Sequence, residues 1–205
     1  MKIVLVIIIC YLLGSIPFGY IVGRLFKKID IREYGSGNIG ATNAFRILGP
    51  ALASLVLIGD ISKGIFSIYL VRFLNIDNLS ILVIAGIAVI CGHDWSVFLK
   101  FKGGKGVATT FGVIFSFNLV ISILAVTVWG MVLIFTKYAS LSSILSLASV
   151  SIFMMLFKQP YEYIIFSLVI LILAIFKHKD NIKRLKLGKE RKIGERVEIS
   201  KNKDG

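Results

Sequence analysis

Residues 98–110, FLKFKGGKGVATT, place three lysines and three glycines between two long apolar runs. Glycine has no Cβ, so consecutive backbone N–H groups can approach an anion closely, and a helix predicted to begin near Gly106 would point its positive end at the same place. Lys102 and Lys105 add full charges. A basic loop that only orients the chain in a bilayer would explain the lysines alone. Orientation does not require Gly-Gly-Lys-Gly, so we favour a phosphate site beside a membrane.

Composition assigns the chain to the membrane proteins. Of its 205 residues, 57% are hydrophobic and only 17% are charged, and the mean hydropathy is +0.87. The apolar residues occur in runs of about 17 to 23, which is the length of a helix that spans a hydrocarbon core. We therefore predict an all-α, polytopic integral membrane protein.

The formal net charge of +13 would suggest a nucleic-acid partner if the protein were soluble. Here the Lys and Arg residues lie at the edges of apolar runs and in the C-terminal tail. Membrane lipids and anionic substrates are therefore the expected partners, and no nucleic acid is expected. Cys10 and Cys91 both lie in apolar runs, where the default role is that of a small buried hydrophobic residue. The sequence predicts neither a metal site nor a cofactor.

Seven transmembrane helices are predicted from the apolar runs. The first run follows Met1 and Lys2, but it is too long for a signal peptide and has no small-x-small cleavage site. Pro17, with the glycines around it, predicts a kink in this run and a narrow face on which a neighbour can pack closely. Only residues 116–118 separate the fourth run from the fifth. The predicted spans cover residues 3–25, 51–73, 79–98, 107–117, 119–136, 139–157 and 161–176.

The distribution of Lys and Arg predicts the orientation. Counted at alternate edges of the spans, twenty of them fall on one side, and only Lys2, Arg72 and Lys158 fall on the other. Under the positive-inside rule, the N-terminus lies outside and the C-terminus is cytoplasmic. Every polar, glycine-rich segment then faces the cytoplasm. We expect residues 1–178 to form a seven-helix transmembrane domain and residues 179–205 a basic cytoplasmic segment whose end is disordered.

A second glycine-rich segment, residues 34–46 (YGSGNIGATNAFR), lies between the first two spans. Its glycines fit G-x-G-x-x-G, but no strand precedes them and no alternation of strands and helices follows, so we reject a dinucleotide-binding fold. Arg46 could bind a phosphate through two hydrogen bonds. For Asn38 or Thr42 taken singly, a solvated turn explains the residue as well as a ligand does. The hydrogen-bonding candidates are Ser36, Asn38, Thr42 and Asn43.

Polar residues also occur within the second and third spans. Asp60 and Lys63 are three residues apart, and such intramembrane charges are usually paired or face a polar cavity. We predict an internal structural ion pair in preference to a proton relay. His93 comes just before the lysine-rich loop, where it either orients that loop or is an ordinary hydrogen-bonded histidine.

A third polar cluster follows the last span, in residues 177–192. Contact with lipid headgroups explains most of its basic residues. It does not explain His178 and Asn181, which would share one helix face if the last helix continues past the membrane edge. Arg184 would lie one turn further on. These residues are therefore candidates for a functional site.

Taken together, the three clusters resemble the signature motifs of a known family. They consist of residues 35–46, residues 92–93 with 101–109, and His178 with Asn181, Arg184, Gly188 and Glu190. The pattern is similar to that of the bacterial acyl-phosphate-dependent glycerol-3-phosphate acyltransferases, the PlsY family, and the resemblance extends to residues 14–19, the chain length and the span count. It implies a multi-pass enzyme of the bacterial plasma (inner) membrane with its active site on the cytoplasmic face.

The activity implied by the resemblance is the first step of phospholipid synthesis. A fatty acyl group would pass from acyl phosphate to the 1-hydroxyl of sn-glycerol 3-phosphate, giving lysophosphatidic acid and phosphate. The seven-helix domain of residues 1–178 would then be the catalytic domain. No cofactor is implied.

The candidate residues can be assigned to this reaction. Lys105, Arg46 and Ser36 would hold the phosphate of glycerol 3-phosphate, and the N–H groups of the Gly-Gly-Lys-Gly loop would hold the phosphoryl group of the donor. His178 and Asn181 would orient the attacking hydroxyl, whose proton goes either to His178 or to a substrate phosphate with a second pKa near ~6. The catalytic candidates are His178, Asn181 and Ser36, and the substrate-binding candidates are Arg46, Lys105, Asn38, Thr42, Asn43, Gly103, Gly104, Gly106 and Arg184.

Two other classes of protein remain as alternatives. A transporter of a phosphorylated solute would also use broken, glycine-rich helices and intramembrane charges. Against it, the sequence has no internal repeat, and its polar groups gather on one face of the membrane instead of at the midplane. A non-catalytic scaffold that binds lipid would not require Gly-Gly-Lys-Gly together with His178 and Asn181.

Overall fold

The computed structural model describes residues 1–76 and 78–195, and this part of the chain contains helices but no strand. Two single-turn 3-10 helices, Ile31–Glu33 and Val97–Leu99, lie in the connections. The predicted disorder at the end of the chain falls on residues 196–205, which lie outside the described residues. The α-helices are α1 Lys2–Ser15, α2 Phe18–Lys27, α3 Ala41–Leu48, α4 Pro50–Phe73, α5 Leu79–Asp94, α6 Val107–Phe117, α7 Leu119–Thr136, α8 Ala139–Leu156, α9 Tyr161–Lys177 and α10 Lys179–Lys186.

Most of these helices have the length and composition of membrane spans. Within the described residues, five stretches are long and apolar enough to cross a bilayer: Lys2–Lys27, Pro50–Phe73, Leu79–Leu99, Leu119–Thr136 and Ala139–Leu156. The pair α9 and α10 would make a sixth if it counted as one bent span, and α6 is apolar but shorter. Each predicted span thus coincides with a helix or a helix pair. The count of seven crossings stays a prediction.

Pro17 divides the first span into α1 and α2. Because proline has no N–H with which to continue the helical hydrogen bonds, α1 ends at Ser15 and α2 begins at Phe18. Gly14 lets α1 pack directly against α5, since a Cβ at this position would lie 2.0 Å from the carbonyl oxygen of Val89. The predicted kink and the predicted close packing are both confirmed.

The interior of the bundle contains aromatic rings and small polar side chains. Phe166 on α9 is fully buried and meets Phe117 edge-on, with ring centroids 5.1 Å apart, and Phe117 stacks on Tyr163 at 4.4 Å. On α8, the hydroxyl of Ser146 donates to the carbonyl oxygen of Ala125 on α7 at 2.5 Å. Lipid tails are as apolar as the helices, so such close contacts and interhelical hydrogen bonds hold the bundle together.

The last span does not continue as a straight helix, which corrects one expectation. α9 ends at Lys177, and α10 departs from it with a bend of 63°. The bend occurs where apolar sequence gives way to charged residues. Since most residues of α10 (KDNIKRLK) are charged or polar, it cannot extend the apolar span, and it packs against α8 and α9 instead. His178 lies at the bend and Asn181 lies in the first turn of α10, so the two stay close together without sharing a face of α9.

Candidate active site

Parts of all three polar clusters line one cavity of about 310 Å³. Ser36 and Asn38 come from the first cluster, residues 103–105 from the second, and Asn181 and Arg184 from the third. The end of α9 supplies the remaining wall. Segments that are far apart in the sequence therefore meet at one place, as the sequence analysis requires of a single site.

A second cavity of about 390 Å³ adjoins the first, because Gly103 lines both. Lys102 lines this second cavity. Arg32 and Asp30 lie in its wall as an ion pair, with Nη2 2.6 Å from Oδ2. The two lysines of the glycine-rich loop thus face different spaces, and Lys105 is the one that faces the three clusters.

Lys105 connects the second cluster to the third. Its ammonium donates a hydrogen bond to Oδ1 of Asn181. Burial lowers the pKa of Lys105 to about 8, against the opposing effect of the Glu190 carboxylate. A bound phosphate would stabilise the ammonium and raise this pKa again. The residue is therefore suited to hold an anion that enters the cavity.

The Gly-Gly-Lys-Gly loop is held against the end of α5. The N–H of Gly104 donates to the carbonyl oxygen of His93 at 2.9 Å, and a Cβ on Gly104 would lie 2.0 Å from Nε2 of the same residue. Gly106 has a φ of +69°, and α6 begins at the next residue, as the sequence predicts. Because the Gly104 N–H is used within the protein, Gly103 and Gly106 are the two predicted amides that remain for a donor phosphoryl group, and of these Gly103 lines the cavity whereas Gly106 lies beside Asp94, outside its lining.

His178 is buried at the bend between α9 and α10, with 3% of its surface exposed. Its Nδ1 lies 2.8 Å from the carbonyl oxygen of Ala174. A carbonyl oxygen can only accept, so Nδ1 carries a proton and Nε2 is the acceptor of the neutral ring. His178 does not itself line the cavity, but Lys177 and Lys179 on either side of it do.

Glu190 organises the third cluster, although the sequence analysis gave it no role in the site. Its Oε1 accepts from Nδ2 of Asn181 at 2.6 Å and from the hydroxyl of Ser140 at 2.8 Å. Its Oε2 accepts from Nε of Arg184 at 2.8 Å. Burial would raise the pKa of Glu190, but these hydrogen bonds outweigh burial and keep the pKa below its usual range. The amide of Asn181 is thereby fixed with its oxygen towards Lys105.

Asn43 shapes the first cluster from within. It is 2% exposed, and its Oδ1 accepts the backbone N–H of Ser36 at 2.9 Å. Its Nδ2 donates to the carbonyl oxygens of Ile31, Tyr34 and Asn38 at 3.2, 3.2 and 2.8 Å. The hydrogens of this amide are committed to the loop, so Asn43 supports Ser36 and does not offer a donor to a ligand.

The other two candidates of the first cluster differ in position. Asn38 lines the cavity, and its Oδ1 accepts the N–H of Gly40 at 2.9 Å, so its NH₂ group is the part left for a ligand. Thr42 lies in the first turn of α3 and is not among the residues that line the cavity. Of the four candidates in this segment, the structure therefore brings Ser36 and Asn38 to the site.

Arg46 lies beneath the C-terminal segment and is 7% exposed. Its Nη2 donates to the carbonyl oxygens of Arg191 and Lys192 at 3.1 and 3.3 Å. Burial lowers the pKa of Arg46, but a guanidinium stays charged at neutral pH. Arg46 does not line the cavity, and among the described residues its buried Nε has no hydrogen-bond partner.

Comparisons with known proteins agree on one family. The family profile described as glycerol-3-phosphate acyltransferase matches residues 4–188. The glycerol-3-phosphate acyltransferase of Thermoanaerobacter pseudethanolicus is 44% identical over 196 residues, which are 96% of this chain and 98% of that protein. That of Carboxydothermus hydrogenoformans is 40% identical over 194 residues, or 95% and 98% of the two chains.

Solved structures show the same fold. The crystal structure of PlsY, an integral membrane glycerol 3-phosphate acyltransferase, in its glycerol 3-phosphate form is similar with a TM-score of 0.89 and 37% identity, over 95% of this chain and 96% of that one. The lysophosphatidic acid form of PlsY is similar with a TM-score of 0.87 and 36% identity, over 95% of this chain and 97% of that one. These matches confirm an all-helical integral membrane protein. They also remove the transporter and scaffold alternatives, because a chain with such relatives along nearly its whole length belongs to the glycerol-3-phosphate acyltransferase family.

Proposed function

We propose that this acyltransferase uses acyl phosphate as donor and the 1-hydroxyl of sn-glycerol 3-phosphate as acceptor, giving lysophosphatidic acid and phosphate. The observation that carries the proposal is the single cavity in which Ser36, Lys105 and Asn181 meet. Both substrates carry phosphate and the product is a lipid. A cavity with an ammonium and backbone amides, set beside apolar helices, suits all three molecules. The glycerol 3-phosphate and lysophosphatidic acid forms of PlsY support the acceptor and the product.

Residues in the cavity and around it have proposed roles in this reaction. Lys105 and Ser36 hold the phosphate of glycerol 3-phosphate, with Asn38 and Arg184 beside them. The N–H groups of Gly103 and Gly106 hold the phosphoryl group of the donor. Asn181 and His178 orient the attacking hydroxyl, since Glu190 and Ala174 fix their side chains. Asn43 and Arg46 act from outside the cavity. Asn43 holds the first cluster in place, and Arg46 holds the C-terminal segment.

The acyl transfer needs no covalent intermediate on the enzyme. The hydroxyl oxygen attacks the acyl carbonyl carbon, a new C–O bond forms, and the C–O bond to phosphate breaks with its electron pair going to the phosphate. The hydroxyl proton passes to Nε2 of His178 or to a phosphate oxygen. Because acyl phosphate is a mixed anhydride with a good leaving group, positioning and charge stabilisation can supply most of the acceleration.

We further propose that the chain crosses the bacterial plasma membrane seven times, with the N-terminus outside and the active site on the cytoplasmic face. The asymmetry of Lys and Arg supports this orientation. The third cluster extends the catalytic unit past residue 178, because Asn181, Arg184 and Glu190 complete the site. The catalytic domain therefore includes the basic C-terminal segment at least to residue 192, because residues 190–192 make these contacts.

The donor and the site can be tested with purified protein in detergent. Labelled glycerol 3-phosphate should become lysophosphatidic acid with acyl phosphate as donor and not with an acyl thioester. Lys105→Met should raise the KM for glycerol 3-phosphate by about 10- to 100-fold, because a charge-assisted hydrogen bond is lost.

Lys102→Met is the matched control, since it removes a lysine of the same loop that lines the adjoining cavity. It should change the KM much less than Lys105→Met does. Equal rates with a thioester donor would reject acyl phosphate as the specific donor. An unchanged KM in Lys105→Met would reject the phosphate-binding role.

A further inference from the structure

Asp60, Lys63 and His93 form a buried polar cluster between α4 and α5 that lines neither of the two cavities. Their exposed fractions are 1%, 3% and 3%. The predicted ion pair is confirmed, because Nζ of Lys63 lies 2.8 Å from Oδ1 of Asp60. Charges within apolar spans are costly and are kept where they have a function. An ion pair alone does not explain why a histidine joins it.

Lys63 fixes the imidazole of His93. Its Nζ lies 2.7 Å from Nδ1 of the ring and 3.1 Å from the carbonyl oxygen of Ile16. The same Nδ1 lies 3.3 Å from Oδ1 of Asp60, but the ammonium is closer and has no lone pair, so Nδ1 accepts from Lys63 and the proton of the neutral ring is on Nε2. With Asp60 as the third neighbour, the ammonium is surrounded by acceptors from α4, α5 and the break between α1 and α2. The ring is thus held in one tautomer and one orientation.

The opposite edge of this ring lies on the Gly-Gly-Lys-Gly loop. A Cβ on Gly104 would lie 2.0, 2.8 and 2.9 Å from Nε2, Cδ2 and Cε1 of His93, so the imidazole packs directly against this glycine. The carbonyl oxygen of His93 also accepts the Gly104 N–H at 2.9 Å. The residue just before Lys105 is therefore held through both the backbone and the side chain of His93.

The next carbonyl group along α5 holds the other side of the cavity. The carbonyl oxygen of Asp94 accepts from Nζ of Lys177 at 2.7 Å, and this ammonium also lies 4.7 Å from the centre of the Trp95 ring. Lys177 directly precedes His178. Consecutive peptide groups at the end of α5 thus hold the Lys105 loop and the His178 bend. The imidazole of His93 packs on the Lys105 loop, whereas the His178 bend is held through the Asp94 carbonyl.

We propose that His93 is a positioning residue for acyl transfer: oriented by Lys63 and Asp60, it sets the place of Lys105 by holding Gly104. The inference rests on the proposed binding of the glycerol 3-phosphate phosphate by Lys105. His93 contacts no reacting atom, so its replacement acts on the KM for glycerol 3-phosphate more than on kcat.

A double-mutant cycle tests the contact between His93 and Gly104. Gly104→Ala drives a methyl group into the imidazole, whereas His93→Asn removes the ring edge that the methyl group meets and keeps an acceptor near Lys63. Each single variant should raise the KM for glycerol 3-phosphate about tenfold, and the double variant should have a lower KM than Gly104→Ala alone. Effects on KM that simply multiply would overturn the proposal.

A second set of variants separates positioning from stabilisation. Lys63→Met leaves Asp60 as an unpaired buried charge, and Asp60→Asn with Lys63→Met leaves none, so the paired variant should unfold at a higher temperature. In both variants His93 has lost its contact with the Lys63 ammonium, so the KM for glycerol 3-phosphate should be raised in both. Recovery of the wild-type KM in the paired variant would show that the cluster only stabilises the fold, and would overturn the proposal.

Ser146→Ala serves as the matched control for a buried polar residue. Its hydroxyl joins α8 to α7, far along the chain from the loop, so the variant should lower the unfolding temperature without raising the KM. The wild-type assay distinguishes the two proposals. If wild-type protein forms no lysophosphatidic acid from acyl phosphate, the proposed function fails. If it does and the His93 and Lys63 variants keep the wild-type KM, only the positioning role fails.

Discussion

Lys105 is the residue on which the proposed chemistry of the cavity most depends. Its ammonium is hydrogen-bonded to Asn181, and burial keeps its pKa at about 8. A lysine in water has a pKa of about 10.4. Burial therefore destabilises the charged form of Lys105, and the ammonium loses its proton at mildly alkaline pH unless a phosphate binds to it.

We expect kcat/KM for glycerol 3-phosphate to fall as the pH rises through about 8. The pKa of Lys105 is lowered, so the binding-competent ammonium is complete below this pH and its neutral form accumulates above it. The measurement is a pH profile of initial rates at low substrate. In Lys105→Arg the guanidinium does not titrate in this range, so the decline should be absent. A wild-type profile without a decline would contradict the prediction.

His178→Gln should reduce kcat without abolishing it. In the proposed reaction a phosphate oxygen of the donor can take the hydroxyl proton, and this variant tests whether His178 only orients the hydroxyl. We expect a loss of about 10- to 100-fold, at or below the ~10²–10⁴-fold typical of a lost general base. Single-turnover rates measure it directly. A complete loss of turnover in folded protein would instead identify His178 as the obligatory base.

Among the larger elements, the loop of residues 34–40 depends on one side chain that faces inward. Asn43 joins the N–H of Ser36 to the carbonyl groups of Tyr34 and Asn38 in this loop and to that of Ile31 in the preceding 3-10 helix. Ser36 lines the cavity, and this buried amide holds its backbone from behind. The loop is thus held in position from α3 and not by its own glycines alone.

Asn43→Ala should lower the free energy of unfolding by about 2–3 kcal/mol, because it leaves buried backbone groups without partners. It should also raise the KM for glycerol 3-phosphate, since Ser36 loses its support. Thermal unfolding in detergent and initial rates measure the two effects. Thr42→Ala changes the neighbouring residue on α3 and should keep the wild-type unfolding temperature. Equal stability of the two variants would show that the Asn43 amide does not hold the loop.

The segment after α10 is a second element on which the site depends. Glu190 fixes Asn181 and Arg184, the carbonyls of Arg191 and Lys192 hold Arg46, and the N–H of Ile193 donates to the carbonyl oxygen of Lys137. These contacts join the third cluster to α3 and α8. The segment therefore closes the site from one side.

A chain that ends after Leu187 should lose nearly all activity, because it lacks Glu190 and both acceptors of Arg46. A chain that ends after Glu195 keeps every one of these contacts and should retain wild-type kcat and KM. Rates and detergent-solubilised yields of the two truncated proteins provide the test. Wild-type activity in the shorter chain would show that the segment is dispensable.

At the scale of the whole molecule, the helices could be predicted and the side-chain partners could not. The backbone of an apolar run that crosses a bilayer must satisfy its own hydrogen bonds, which a helix does. Each predicted span therefore coincides with a helix or a helix pair. The glycine-rich segments were informative because anion binding and close packing both require glycine. The convergence of Ser36, Lys105 and Asn181 followed from placing all three clusters on one face.

What the sequence could not show depends on contacts between distant residues. Arg46 and Arg191 are 145 positions apart, and Ser140 and Glu190 are 50 apart, with no local pattern that links them. Asn43 looks like a ligand in the sequence, because nothing there reveals that its amide points into its own loop. The bend at His178 arises from packing of α10 on α8, which periodicity along one helix cannot reveal.

The orientation of the whole chain gives a further prediction. A fluorescent protein fused to the C-terminus should fold and fluoresce in a bacterial cytoplasm, because the twenty Lys and Arg residues assigned to one side keep that side inside. Fusion of a reporter that is active only outside the plasma membrane should give no signal at this end. The reverse pattern of the two reporters would place the cavity on the outer face and contradict the proposed topology.

The neighbours of the Lys63 ammonium, which come from α4, α5 and the break between α1 and α2, have a consequence for how the protein is made. During synthesis, the Ile16 carbonyl and Asp60 are already present when Lys63 leaves the ribosome, but His93 follows thirty residues later. The second span therefore enters the membrane carrying a charge whose set of neighbours is incomplete. The neighbours of this charge are complete only once α5 packs against α4, so the two spans must both be in place before the Lys63 contacts can form.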